Sequence, residues 1–85
     1  MKVRVLYFAS IREKLGREAE DIDLPAGLAT VAGLRSHLCA RGGVWAEALA
    51  DGKLLRAAVN QDMSQPTAAI KAGDEVAFFP PVTGG

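Results

Sequence analysis

The chain has 85 residues, ten basic against ten acidic, one histidine and one cysteine, and about half of its residues are apolar. A single cysteine excludes an internal disulfide framework, the length allows one small core, and the balanced charge offers no basic field to nucleic acid. The opening MKVRVLYFAS lacks the long apolar run and small-residue cleavage site of a signal peptide, and no stretch is long enough to span a bilayer, so the cytoplasm is the expected compartment.

Residues 2–8, KVRVLYF, alternate and are rich in β-branched and aromatic side chains, which predicts a strand. Val3, Val5 and Tyr7 share one face; Lys2, Arg4, Leu6 and Phe8 share the other, charged at its start and apolar at its end. A short helix is expected over 10–16, with Ser10 as N-cap, Ile11 and Leu15 one turn apart and Gly16 as its stop. EAEDIDL (18–24) reads as a second strand, antiparallel to the first, with Ile22 and Leu24 inward, ended by Pro25-Ala26-Gly27. Thr30 is placed to cap a helix through VAGLRSHLCAR, whose Val31, Leu34 and Leu38 form one apolar stripe. Gly33 stands where a capping-box Glu or Gln would help and weakens the helix by roughly 1 kcal/mol relative to alanine, so it is expected to mark close packing against the sheet.

Gly42-Gly43 ends that helix, VWAEALA (44–50) suggests another short one, and Asp51-Gly52 supplies a turn. LLRAAVN (54–60) reads as a strand with Leu55, Ala57 and Val59 on one face. A looser stretch containing Pro66 follows, then the turn Ala72-Gly73-Asp74 and a last strand, EVAFF (75–79). This order predicts an α+β roll: a mixed sheet, first and last strands paired at its centre, packed on one main helix.

The side chains offer little chemistry. His37 and Cys39 are two apart on a helix and point different ways, so a Cys/His nucleophile is not expected, and one histidine cannot make a histidine pair for metal. The acidic run 18–21 lacks metal-loop spacing, and Gly42-Gly43 lacks the lysine-hydroxyl pair of a phosphate loop. No metal site and no enzyme built on the chain's own side chains is expected.

The ending FFPPVTGG points to the main chain instead. A terminal carboxylate, with a pKa of roughly 3.3–3.7, is ionised at neutral pH and can attack the α-phosphorus of ATP held by a partner. Gly84 and Gly85 make a slender end, Pro80-Pro81 stiffens the exit, and the six residues 80–85 reach on the order of 20 Å. Terminal glycines also fray without function, but the succession of aromatic strand, proline pair, short spacer and double glycine favours a working tail. The expected organisation is a domain over 1–79 and a tail over 80–85.

These residues carry a resemblance. EVAFFPPVTGG (75–85), DGKLL (51–55), AVNQ (58–61) and LYFASIRE (6–13) are similar to the small subunit of molybdopterin synthase, over nearly the whole chain. The resemblance implies a β-grasp, ubiquitin-like fold and a sulfur carrier whose Gly85 is adenylated by a ubiquitin-activating-like adenylyltransferase and converted to a thiocarboxylate. It implies that Pro80, Pro81, Val82, Thr83 and Gly84 enter the large synthase subunit, that sulfur passes to cyclic pyranopterin monophosphate, and that two carriers and a large-subunit dimer make a heterotetramer. No cofactor is expected on the chain itself; ATP serves the activating partner. Strand parity adds a docking patch of Phe8, Met63 and Phe79, since Val3, Val5, Tyr7, Val76 and Phe78 already supply the face for the helix. Related alternatives are a carrier for thiamine or tRNA thiolation, a ubiquitin-like protein modifier, and a binding module with an inert tail.

Overall fold

Val3, Val5 and Tyr7 alternate with solvent-facing residues along β1 (Lys2–Tyr7), and the three are fully buried. In a computed structural model that describes residues 1–50 and 52–81, this is an interior strand of the sheet. It pairs antiparallel with β2 (Ala19–Asp23) on one side and parallel with β5 (Glu75–Phe79) on the other. Strand β3 (Arg56–Val59) continues the sheet antiparallel to β5, and β4 (Asp62–Ser64) forms the edge. Among the described residues the order is β2-β1-β5-β3-β4. The mixed sheet with its central first and last strands is the expected α+β architecture.

One sheet face carries helices α1 (Ala9–Leu15), α2 (Val31–Cys39) and α3 (Val44–Ala48). Ile11 and Leu15 from α1, and Val31, Leu34 and Leu38 from α2, meet Val3, Val5, Tyr7, Val76 and Phe78 in one cluster. Complete burial of side chains such as Leu34, Leu38 and Phe78 contributes about 1.5–3 kcal/mol each, which makes this face the principal source of stability.

The helix ends show where local chemistry decided and where it did not. Thr30 caps α2 as expected, its hydroxyl accepting from the Gly33 N–H at 3.0 Å. The first helical N–H groups, of Val31 and Ala32, donate to the carbonyls of Ala68 and Pro66, so the segment before Ile70 completes the cap. Ser10 does not cap α1: Phe8 holds the N-cap position without a side-chain bond, and its carbonyl accepts from Ile11 and Arg12. Gly16, at φ +72°, ends α1 as expected. Gly33 does mark a close approach, but to the backbone of Leu28 in the 3-10 turn Ala26–Leu28 rather than to the sheet.

The loose stretch expected after residue 60 is a hairpin. Asn60 and Gln61, at φ +51° and +72°, form a two-residue turn of the primed kind that matches strand twist, and Val59 pairs with Asp62 across it. Asn60 also ties the turn to the start of β5: its amide donates to Asp74 at 3.0 Å and its side-chain oxygen accepts from the Glu75 N–H at 3.0 Å. Asp74 accepts in addition from the Lys71 N–H; these bonds hold its carboxyl below the ordinary aspartate value although burial opposes them. The AVNQ segment is therefore a joint between the hairpin and the central strand.

A second polar cluster closes the β2 side. Trp45 lies edge-on to Tyr7, with centroids 5.6 Å apart, and two guanidiniums cover its ring, Arg41 at 4.4 Å and Arg17 at 5.4 Å. Both arginines also grip Glu20, at 2.6 Å from Arg17 and 2.7 Å from Arg41. Partial burial pushes the Glu20 carboxyl up, but hydrogen bonds from the two guanidiniums outweigh it and hold the group below its ordinary value of 4.5. The Tyr7 hydroxyl beneath this cluster is buried without a hydrogen-bond partner, and burial raises its pKa well above the usual tyrosine value.

Two outcomes follow from these contacts. Gly33→Ala improves helix propensity yet places a methyl group against the Leu28 backbone, so it is expected to destabilise the fold by about 1–3 kcal/mol in urea unfolding; an unchanged or higher midpoint would show that the 3-10 turn yields freely. Because the folded pKa of Glu20 is depressed, its contribution is present above the unfolded value and disappears as pH falls through the folded one. Unfolding midpoints should therefore drop below about pH 4.5, and Glu20→Gln should flatten that part of the profile.

Candidate functional site: the tail base and the open sheet face

The parallel pairing of β1 with β5 makes both strands leave the sheet at the same end. Phe78 turns inward and is fully buried; Phe79, next along the strand, turns to the opposite face and is half-buried. Phe8 reaches the same place from β1 and is 43% exposed. The two rings meet edge to face, 6.5 Å apart at 83°, so the expected juxtaposition of Phe8 and Phe79 is found. Phe8 links β1 to α1, and Ala9, the first residue of α1, has φ +52°, a conformation that costs an alanine roughly 1–2 kcal/mol and turns the chain sharply beside Phe8.

Met63 lies on this face too, two strands away. It pairs with Ala58, Ala58 with Ala77, Ala77 with Leu6 and Leu6 with Ala19, which gives an apolar row across all five strands. No described helix packs on it; the helices share the other face with the core cluster. Met63 is 59% exposed, and Arg56 stands opposite Phe79 as a charged border. The three residues expected to form a patch thus share one surface, with Phe8 and Phe79 in contact and Met63 at the edge strand.

Pro80 and Pro81, half-buried, continue directly from β5. Pro80 borders a cleft with Ser10 and Lys14 of α1, and Pro81 borders a groove of about 420 Å³ with Arg56 and Pro66. Val82, Thr83, Gly84 and Gly85, the remaining tail residues singled out from the sequence, lie outside the described residues.

The segment opposite the prolines entered the sequence reading through the resemblance alone, and none of its residues was assigned to the site. Arg35 of α2 donates through Nε to the Leu49 carbonyl at 2.8 Å, and through its terminal nitrogen to the carbonyls of Ala50 and, at 2.9 Å, Lys53. These bonds satisfy carbonyls at the end of α3 and fix the approach to β3. Leu55 then packs on the core, whereas Leu54 is 81% exposed and borders both the Pro80 cleft and the Pro81 groove. The only sequence signal was the DGKLL segment itself.

Elsewhere, His37 and Cys39 are half-buried, with the Cys39 thiol 3.9 Å from the Ala46 carbonyl. Among the described residues no three metal-ligating side chains gather, and no helix is long and apolar enough to cross a membrane. What the described surface offers is an open apolar face beside a proline-stiffened exit.

Known proteins match this chain over nearly its whole length. Residues 5–85 match the ThiS family. The molybdopterin synthase sulfur carrier subunit of Escherichia coli (strain K12) is 51% identical over 83 residues, covering 98% of this chain and 99% of that protein. Among solved structures, SAMP1 from Haloferax volcanii superposes with a TM-score of 0.76 at 26% identity, over the full length of both chains. The complex of subunits 1 and 2 of the molybdopterin-converting factor from Helicobacter pylori 26695 contains a chain that matches with a TM-score of 0.67 at 26% identity, again over both full lengths. The β-grasp, ubiquitin-like fold is thereby established, and the chain belongs to the ThiS family.

Proposed function

We propose that this protein is the sulfur carrier subunit of a molybdopterin synthase and that Gly85 carries the sulfur. The observation that carries the proposal is the full-length, 51% identical match to a protein named as such a subunit. The placement of Pro80 and Pro81 beside an open apolar face supports it, since a carrier must dock with its tail directed into its partner.

The chemistry belongs to the terminal carboxyl group. In an activating partner, an adenylyltransferase of the ubiquitin-activating kind, the Gly85 carboxylate attacks the α-phosphorus of ATP and pyrophosphate leaves. Sulfur from a donor then attacks the acyl adenylate; the C–O bond to AMP breaks and a thiocarboxylate remains. In the large synthase subunit that sulfur attacks a carbon of cyclic pyranopterin monophosphate and displaces an oxygen substituent; water then cleaves the C–S bond to Gly85, leaving the sulfur on the pterin and a free carboxylate on the carrier. The carrier's own part is to anchor, aim and release: β5 fixes the base, Pro80-Pro81 sets the direction, and the segment 82–85 spans the distance to the reacting centre. ATP is the activating partner's substrate. Two carriers on a dimer of large subunits complete a cytoplasmic heterotetramer, and Phe8, Phe79 and Met63 are the apolar contacts through which each carrier docks.

Intact mass of the protein purified from its native host should show one oxygen replaced by sulfur at the C-terminus. Deleting Gly85, or adding one residue after it, should abolish cofactor synthesis while the unfolding midpoint stays put; retained synthesis in either variant would sink the assignment of Gly85. High-mass conjugates in place of the sulfur shift would favour a protein modifier. For the docking face, Phe8→Ser and Phe79→Ser are expected to weaken large-subunit binding by roughly 1–3 kcal/mol each in calorimetry. Phe78→Ala should instead cost about 3–5 kcal/mol of folding stability, because that ring is in the core.

A further inference from the structure

Leu54 is a large apolar side chain held at 81% exposure by a built support, because Arg35 bonds the carbonyls of Leu49, Ala50 and Lys53 immediately before it. Its neighbour Leu55 is drawn into the core, so an extended backbone turns Leu54 outward. It stands between the cleft bordered by Pro80 and the groove bordered by Pro81, which makes it part of a collar around the tail base.

The reach of the tail decides what must cover that collar. Gly85 lies four residues beyond Pro81, and four extended residues span at most about 14 Å. A reaction centre enclosed at that depth brings the mouth of its channel against the residues around Pro81. Two residues after Leu54 comes Arg56, which pairs with Phe79, so the collar is continuous with the open sheet face. The apolar members of this collar, Leu54, Pro80 and Pro81, stand among the charged side chains of Lys14, Lys53 and Arg56, and such an apolar centre with a polar border suits a subunit contact.

We propose that Leu54 is an anchor for the large synthase subunit and seats in an apolar rim at the mouth of that subunit's tail channel, with Arg35 as its positioning residue. The inference rests on the reading of this chain as a synthase subunit. It extends the docking surface from the sheet face around to the helix side of the tail.

The test is calorimetric titration of the full-length chain into the large subunit from the same organism, with Leu54→Ser, Leu54→Met and Phe79→Ser in parallel. Unfolding midpoints and thiocarboxylate formation by the activating enzyme are followed for each. Leu54→Ser should weaken binding on the order of tenfold or more with an unchanged unfolding midpoint, and Leu54→Met should restore most of the affinity. If Phe79→Ser weakens binding and Leu54→Ser does not, the anchor is wrong while the synthase reading stands. If Leu54→Ser lowers thiocarboxylate formation and leaves large-subunit affinity intact, the contact belongs to the activating partner and the proposal is overturned. If the unaltered chain neither binds the large subunit nor acquires sulfur, the synthase reading fails and the anchor with it.

Discussion

The parallel pairing of β1 with β5 is the contact on which the rest of this molecule depends. It buries Tyr7 and Phe78 side by side on the helix face and sets Phe8 against Phe79 on the other. Everything else is added to that pair: β2 beside β1, the β3–β4 hairpin beside β5, and three helices over the buried face. Without the parallel register Phe8 would not reach Phe79 at the base of the tail. The pairing therefore links the stability of the domain to the direction of its tail.

Strand parity made most of this legible in the sequence. Alternation in KVRVLYF and EVAFF separates the buried set from Phe8 and Phe79, and Thr30 and Gly16 mark helix ends whose geometry is local. The missed features depend on distant contacts. Asn60-Gln61 lacks the glycine that advertises a hairpin, and its turn is held by Asp74 and Glu75. Gly33 announced close packing, but its partner, the Leu28 backbone, is set by how the 3-10 turn folds back. Arg35 carries no local signal, since its role exists only once α3 ends within its reach. The expectation of a working tail, by contrast, rests on FFPPVTGG alone, a pattern that needs no tertiary contact to be recognised, and its last four residues lie outside the described ones.

The two sides of the sheet divide the labour. The helix face holds the buried leucines and valines, and among the described residues the one orphaned buried side-chain polar atom is the Tyr7 hydroxyl beneath the Trp45 cluster. The open face retains Leu6, Ala77 and Met63 in an uncovered row, an arrangement that lowers solubility unless a partner or neighbouring charge screens it. Arg4 and Arg56 line its borders, and Arg4 pairs with Asp21 at 3.2 Å. Such a rim leaves the apolar strip accessible while discouraging indiscriminate association.

Because the central strands are the first and the last, their contact joins segments roughly 70 residues apart. On the ribosome, β1 has no central neighbour until residues 75–79 have emerged, and the helices have only a partial floor until then. Closure of the sheet thus waits on the last described strand. A chain broken off early, or one whose middle has misfolded, lacks the seat that aims its tail. The topology makes the placement of Pro80 and Pro81 a property of the finished sheet and of no smaller piece of it.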